Sequence, residues 1–329
     1  MIIVTGGAGF IGSNLVAGLE EHGCRDIVIC DVLGSEGKWM NIAKREIRDV
    51  VHPDRLFDYL HTHAQDIEMI FHVGAISSTT ERNADLIIDT NFVLSRRIWK
   101  WCGNNNVRLV YASSAATYGS GTNGFEDDGT IEGLAKLRPL NAYGWSKHVF
   151  DRRIARVVEE KLESIPPQWA GLKFFNVYGP NEYHKGEQMS VMCKLYPQVV
   201  AGAAAKLFKS SNPDYEDGGQ LRDFVWVGDC VDVMLWLYDN KQVSGLFNVG
   251  SGEARSFKDL AEATFRAAGK EPKIQYIDMP EVLQAKYQYY TQADMNKLRQ
   301  AGYDKPFTSL EEGSKTYVND YMRAKDIYR

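Results

Sequence analysis

The chain has 329 residues, 44% of them hydrophobic and 25% charged, a globular composition that excludes wholesale disorder. A formal net charge of −5, without any Lys/Arg-rich run, argues against nucleic acid as a partner. The five cysteines (Cys24, Cys30, Cys102, Cys193, Cys230) are scattered and never spaced C-x-x-C, which suits reduced thiols in cytoplasm and not a disulfide framework or zinc site.

Residues 1–19, MIIVTGGAGFIGSNLVAGL, carry no charged side chain. They lack a positive leading region and are interrupted by glycines, so they read as folded structure, not as a targeting signal or membrane span. Through residue 175 the apolar runs IIVT, DIVICD, EMIFHV, RLVYASS and LKFFNV read as buried strands. Between them 10–22, 53–64, 85–103 and 142–163 read as helices. The alternation predicts an α/β fold, a Rossmann-type doubly wound parallel sheet with right-handed crossovers and helices on both faces. Beyond residue 176, SSNPDYEDGGQ (210–220) reads as a loop. DFVWVGD and GLFNVG read as strands returning to the sheet, with VDVMLWLYDN a helix between them. Two more helical patterns, 256–268 and 292–301, cover one end. The expected division is a dinucleotide-binding domain of residues 1–175, rejoined by 221–250. The rest, 176–220 and 251–329, forms a smaller C-terminal α/β substrate-binding domain.

IIVTGGAGFIGSN sets Gly6, Gly9 and Gly12 between a strand and a helix. Gly6 permits the tight turn, Gly9 allows the backbone to approach a pyrophosphate, and Gly12 lets the helix pack closely on the strand. The helix N-terminus faces the phosphates. The next strand ends in Asp31, where an acid would bond the adenosine ribose, and the combination predicts a bound dinucleotide. Asp31 alone favours NAD. Lys38, just beyond it, either pairs with the 2′-phosphate of NADP or is a solvated loop charge.

LNAYGWSKHVF opens a helix and places Tyr143 and Lys147 on one face. A phenol, with a reference pKa of about 10, is a poor base near neutrality. A neighbouring ammonium and a positive nicotinamide favour its ionised form. Upstream, YASSAATYG ends a strand and offers Ser113 and Ser114 at its carboxyl edge, where a hydroxyl could hold the reacting oxygen. Tyr-x-x-x-Lys is common by chance on helices and becomes specific only beside the glycine loop and the serine pair.

With these residues the chain resembles the extended short-chain dehydrogenase/reductase family of nucleotide-sugar enzymes. TGGAGFIG, the serine pair, YGWSK and FFNVYGP occur in family order over essentially the whole length. The resemblance implies Ser114, Tyr143 and Lys147 as a catalytic triad and Asn91 near the cofactor. It adds cofactor contacts at Phe10, Ile11, Val32, Val73, Gly74, Ala75, Ile76, Ser77, Lys147, Val177 and Lys185. Dehydratases of the family carry an Asp-Glu pair beside the catalytic hydroxyl. Ala115-Ala116 stand here, so dehydration loses its acid and base.

HVGAISSTTE (72–81), ASSAATYG, NVYGPNEYHKG, RDFVWVGD and YQYYTQAD are similar to a branch of epimerases acting at C6 of an ADP-activated heptose. That branch supplies heptose for the lipopolysaccharide core. The implied reaction is an NADP-dependent isomerisation through a transient ketone, with NAD as the other cofactor. A UDP-hexose 4-epimerase is the alternative, and a non-catalytic dinucleotide-binding regulator is a third that the intact triad speaks against.

Returning a hydride to the opposite face of a ketone requires a proton to leave and return wherever the oxygen points. Tyr143 serves one orientation, and the resemblance implies that Lys185, within NEYHKGEQM (181–189), serves the other. Burial and nearby positive charge would lower such a lysine from about 10.4. The other readings of Lys185 are a phosphate clamp or a surface charge. His184 has no partner at metal-ligand spacing, so no metal is expected. Implied substrate contacts are Ser114, Asn176, Glu187, Lys194, Phe208, Lys209, Ser210, Ser211, Arg222 and Tyr287. Glu187 and Lys194 depart from the serine and histidine of other members. The planar fork of Arg222 suits a diphosphate, with an ion pair to Asp223 as its other reading. The resemblance further implies a cytoplasmic homo-oligomer with no membrane partner.

Overall fold

Apolar strands of this kind can bury both faces only between two layers, and the computed structural model, which describes residues 1–280 and 288–329, places them so. The first six strands are Ile2–Thr5 (β1), Ile27–Cys30 (β2), Asp49–Val51 (β3), Met69–His72 (β4), Arg108–Ser114 (β5) and Trp169–Phe174 (β6). Asn176–Tyr178 (β7), Ala205–Phe208 (β8), Leu221–Trp226 (β9), Gly245–Val249 (β10), Ala254–Ser256 (β11) and Ile274–Ile277 (β12) follow. The helices are Phe10–Glu21 (α1), Leu56–Thr62 (α2), Ala84–Ile88 (α3), Leu94–Asn105 (α4) and Ile131–Ala135 (α5). After them come Ala142–Glu160 (α6), Val191–Val200 (α7), Val227–Asp239 (α8) and Phe257–Ala267 (α9), then shorter helices at Asn296–Gln300 and Leu310–Thr316.

The main sheet runs β10-β6-β5-β4-β1-β2-β3 with all neighbours parallel. Side chains alternate across it. Ile2 and Val4 join Leu15 and Val16 of α1 and Val231 and Met234 of α8. Ile3, Val28 and Ile70 join Ile98 and Trp99 of α4 and Phe150 and Ile154 of α6. The strand order reverses at β1, whose neighbours are β2 and β4. In an open α/β sheet, the crevice outside the carboxyl ends at such a point is where ligands bind.

The expected helix at 53–64 begins as a 3₁₀ turn, Pro53–Arg55, before α2. The one at 85–103 comes in three pieces, α3, a π turn at Asp89–Val93, and α4. The reading of DFVWVGD as a strand of the main sheet is corrected. Only β10 returns, beside β6, while β9 lies between β7 and β11 in a separate three-stranded sheet. The cause is a break after β6. Phe175 donates its N–H to the Val249 carbonyl at 3.0 Å, and β7 then leaves the main sheet to pair with β9, Val177 opposite Val225. Along β9, Val225 enters the main core while Phe224 packs with Tyr178 and Leu260, so one strand serves two layers. β8 and β12 form a parallel ribbon against α7 and α9. No helix among the described residues is long and apolar enough to cross a membrane.

One buried carboxylate ties the smaller sheet to its surroundings. Asp223 accepts the backbone N–H groups of Ser251 (2.6 Å), Gly252 (3.0 Å) and Ala293 (2.9 Å), and the Ser251 hydroxyl (2.8 Å). Truncation would strand these donors at about 1–3 kcal/mol each. Asp223→Ala should therefore unfold in urea with a stability lower by at least about 3 kcal/mol. A loss under about 1 kcal/mol would mean that water can replace the carboxylate.

Candidate active site

Just past β1, Gly6 has φ +68°, and a Cβ on it would stand 2.5 Å from the Gly74 Cα. A Cβ on Gly12 would overlap the Gly6 carbonyl, so these glycines let the loop, the β4 end and α1 meet. Gly9 is the N-cap of α1 and gives no side-chain cap, which leaves backbone N–H groups of the first turn for an anion. Asp31 sits beside this loop. Its Oδ2 accepts the Ala8 N–H (2.9 Å), and its Oδ1 accepts the Val32 N–H (2.7 Å) and the Lys38 ammonium (2.6 Å). Lys38 also donates to the Val32 carbonyl at 3.1 Å. The ammonium is thus paired with Asp31, and the Lys38 side chain is 21% exposed. An uncapped helix start, a glycine cradle and an acid beside a cation together suit a dinucleotide.

These residues line a cavity of about 670 Å³ at the sheet's switch point. Gly6, Gly9, Phe10, Ile11, Gly12, Asp31, Lys38 and Val73 through Ser77 are on its wall, as are Ser114, Tyr143, Lys147, Asn176, Val177 and Lys185. Val32 is 51% exposed and lies outside the wall. Asn91 stands behind it and clamps the 73–77 loop. Its amide donates to the Ile76 carbonyl (2.9 Å) and Ser146 Oγ (3.0 Å), and its Oδ1 accepts the Ile76 N–H (2.9 Å). His72, between Thr5 Oγ1 (2.6 Å) and Ser95 Oγ (2.8 Å), is pushed down to about 3 by burial and by Lys147, so it is neutral.

α6 carries Tyr143 and Lys147. Asn141 caps its start by accepting the Gly144 N–H at 2.8 Å. Gly144 lets the helix press on the strand end, because a Cβ there would meet the Ala116 carbonyl at 2.6 Å. The Lys147 ammonium donates to the Ala112 carbonyl (2.8 Å), and burial pushes it down to about 8 against the pull of Asp151. Burial pushes the Tyr143 phenol up, a hydrogen bond with Ser114 pulls it down, and Asp151 pushes it up. The expected lowering by Lys147 is not among these influences, because that ammonium is turned to Ala112. Ser113 differs from Ser114. Its hydroxyl donates to Asp151 at 2.6 Å, so Ser114 is the one that serves Tyr143.

Lys185 lies on a 3₁₀ segment, Tyr183–Gln188, interrupted at Gly186 (φ 53°, ψ −122°). The segment is tied in front by Asn181, whose amide donates to Ser13 Oγ at 3.0 Å. It is tied behind by buried Glu182, which accepts the Ser190 N–H, the Ser190 hydroxyl (2.7 Å) and the Tyr317 hydroxyl (3.0 Å). The Lys185 Nζ stands 5.2 Å from the Phe10 ring centroid, and burial lowers its pKa against the pull of Glu182. The surface-charge reading of Lys185 therefore fails. His184, which sequence reasoning had set aside, is also on the cavity wall. Its Nδ1 accepts from the Asn41 amide at 3.1 Å, and burial, Lys38 and Lys185 push it down to about 4. Gln188, Met189, Ser190, Val191, Met192, Phe257 and Leu260 are also on the wall, unforeseen. The first two continue the segment that carries Lys185, and the packing of α7 and α9 brings the others there.

Several expected substrate contacts lie elsewhere. Glu187 and Lys194 pair with each other at 3.0 Å, away from the wall. Phe208, which ends β8, and Lys209, Ser210 and Ser211 beyond it lie outside the wall, with Lys209 paired to Asp278 at 2.9 Å and the Ser211 N–H bonded to the Tyr289 hydroxyl at 3.1 Å. Arg222 lies over the ring of cavity-lining Phe257 at 5.5 Å, while the Asp223 carboxylate expected as its partner is taken up by Ser251, Gly252 and Ala293. Tyr287 falls outside the described residues.

Comparisons with known proteins agree with this geometry. The model of the NAD dependent epimerase/dehydratase family matches residues 2–250. An ADP-L-glycero-D-manno-heptose-6-epimerase of Nitratidesulfovibrio vulgaris is 51% identical over 99% of both chains. The enzyme of that name from Fusobacterium nucleatum is 49% identical over 100% of both. Among solved structures, Helicobacter pylori ADP-L-glycero-D-manno-heptose-6-epimerase superposes with a TM-score of 0.79 at 28% identity, covering 97% of this chain and 95% of that one. By the match of the family model over residues 2–250 and by its full-length relatives, the chain belongs to the NAD dependent epimerase/dehydratase family.

Proposed function

We propose that the cavity inverts C6 of ADP-D-glycero-D-manno-heptose, giving the L-glycero epimer by oxidation to a ketone and reduction on the opposite face. One observation carries the reading. Two proton-transfer groups, Tyr143 and Lys185, reach one cavity from different elements, as an oxygen presented in two orientations requires. The relatives that share about half of its residues over their full length support the substrate.

A nicotinamide dinucleotide in this site supplies the hydride acceptor and donor. The glycine loop and the α1 N-terminus hold its diphosphate, Asp31 faces the adenosine ribose, and the 73–77 loop with Val177 encloses it. Lys38 favours NADP, since it offsets the charge with which Asp31 would repel a 2′-phosphate. In one orientation of the sugar, Tyr143 exchanges the hydroxyl proton, with Ser114 holding the oxygen and Lys147 remaining cationic beside it. In the other orientation Lys185 does so, and burial, which lowers its pKa, favours the neutral amine that accepts a proton. Asn176 borders the sugar. Arg222 takes the diphosphate and residues 208–211 the adenosine end. Residues 1–175, rejoined by α8 and β10, serve the cofactor, and the remainder serves the sugar nucleotide. The product supplies heptose for lipopolysaccharide core in the cytoplasm, from a homo-oligomer.

Incubation with ADP-D-glycero-D-manno-heptose should give the other C6 epimer, resolved by chromatography. Turnover of UDP-galactose in its place would sink the substrate, and turnover of neither would point to a regulator. Lys185→Met should bind the ADP-sugar about as well as the parent yet epimerise roughly 10²–10⁴-fold more slowly. An unchanged rate would remove Lys185 as a base. Lys38→Ala should weaken NADP about tenfold while leaving NAD within about twofold, measured by calorimetry, because only the 2′-phosphate loses a partner. Equal losses for both cofactors would leave Lys38 a structural role. The rate should also fall as pH rises through about 8, where Lys147 passes from cation to neutral amine.

A further inference from the structure

Beneath the cavity floor lies an ion pair that the proposed chemistry does not use. Lys173, on β6, and Asp151, on α6, meet at 2.9 Å with both side chains 0% exposed. Neither is on the cavity wall. A buried pair of this kind is not needed for stability, since apolar residues of similar volume serve as well or better. Its surroundings suggest another use.

Asp151 is one helical turn beyond Lys147 and two beyond Tyr143, on the same face of α6. Its Oδ2 accepts the Ser113 hydroxyl (2.6 Å) and the Lys173 ammonium, and its Oδ1 accepts the Tyr111 hydroxyl (3.3 Å). Lys173 also donates to Thr117 Oγ1 at 2.6 Å, and Thr117 in turn donates to the Ser114 carbonyl at 2.8 Å. The ammonium lies 4.8 Å from the Tyr118 ring centroid. Thus one lysine grips the strand end on both sides, through Asp151 to Ser113 and through Thr117 to Ser114. The groups around Asp151 are Tyr111 and Ser113 from β5, Lys173 from β6, Thr117 and Tyr118 from the turn after β5, and Lys147 and His148 on its own helix. The charge of Asp151 acts on both members of the proton-transfer pair, raising Lys147 and raising Tyr143.

We propose that Lys173 is a positioning residue for proton transfer, offsetting the negative charge that Asp151 presents to Lys147 and Tyr143 while fixing the Ser113-Ser114 strand end. The inference rests on the reading of Tyr143 and Lys147 as the proton-transfer pair. Without Lys173 the buried carboxylate acts unopposed, and both groups hold their protons to higher pH. Without the Asp151 charge the buried ammonium acts unopposed, and both release them at lower pH. The two losses therefore push in opposite directions, which loss of packing cannot do.

The test is the high-pH limb of the kcat profile in four variants, with circular dichroism to confirm folding. Lys173→Met should move the limb up by about one pH unit and Asp151→Asn should move it down by about one. Lys173→Met/Asp151→Asn should return it close to the parent position, and Lys173→Arg should leave it there. The same order should appear without turnover in the titration of the Lys147 side-chain ¹⁵N signal, identified by its absence in Lys147→Met. Should Lys173→Met fail to fold, the downward shift in Asp151→Asn and the unmoved limb in Lys173→Arg still decide. A limb unmoved in Asp151→Asn, or moved the same way in both single variants, would overturn the role of Lys173. Full activity in Tyr143→Phe would instead overturn the proton-transfer reading beneath it.

Discussion

The site depends on how closely two strand ends approach. Where a side chain on Gly6 would begin, the backbone of Gly74 already stands, so the exits of β1 and β4 touch. That contact sets α1 directly behind the Gly6 carbonyl and aims its uncapped first turn into the crevice. It also fixes the start of the 73–77 loop, which Asn91 then fastens to Ser146 on α6. Through this chain of contacts the anion cradle and the Tyr143 helix share one frame. Any side chain at position 6 or 12 would separate them, which makes the glycines a geometric requirement before they are a binding motif.

Three lysines border this frame, Lys147 and Lys173 buried and Lys185 partly so, and their partners decide what each can do. Lys173 has a carboxylate at 2.9 Å and a hydroxyl at 2.6 Å as acceptors. Lys147 donates to the carbonyl of Ala112 and is pushed down to about 8, so its charge is present at neutrality but not secure. Lys185 faces an aromatic ring and feels Glu182 only through space, while burial draws its pKa down. The series runs from an ammonium paired with a carboxylate, through one held by a backbone carbonyl, to one set against an aromatic ring. Desolvation is common to all three, and the acceptors nearby differ.

Much of this was legible in the sequence where local pattern determines the outcome. The glycine spacing, the acid closing the next strand and the Tyr-Lys spacing on a helix are short-range facts, and their residues converge on one cavity. What stayed hidden depends on long-range pairing. Nothing in DFVWVGD says that β9 will pair with β7, because a strand shared by two layers shows the same alternation in either sheet. His184 gave no signal because its partner, Asn41, comes from a different part of the chain. Glu187 and Lys194 stood at positions implied to touch substrate, yet they satisfy each other, as two opposite charges on adjoining exposed turns readily do.

The loop that carries Lys185 shows how a residue on an irregular segment can still be held to a site. Asn181, at φ 71° and fully buried, is bound to α1 through Ser13, and its carbonyl accepts from Asn41 at 3.1 Å, in the segment that also carries Lys38. Glu182, the next residue, is bound through Ser190 to the start of α7 and through Tyr317 to the last helical stretch. Two consecutive side chains therefore anchor the loop to two parts of the molecule, α1 on one side and the start of α7 with Tyr317 on the other. Lys185 lies between these anchors and the exposed kink at Gly186, where the chain turns away. The cost of burying Asn181 and Glu182 is met by hydrogen bonds, and its return is a lysine whose position follows both halves at once. A second base, the role proposed for Lys185, must keep its place relative to the hydride position as well as to the sugar. Anchoring at 181 and 182 satisfies that demand with backbone of no regular structure.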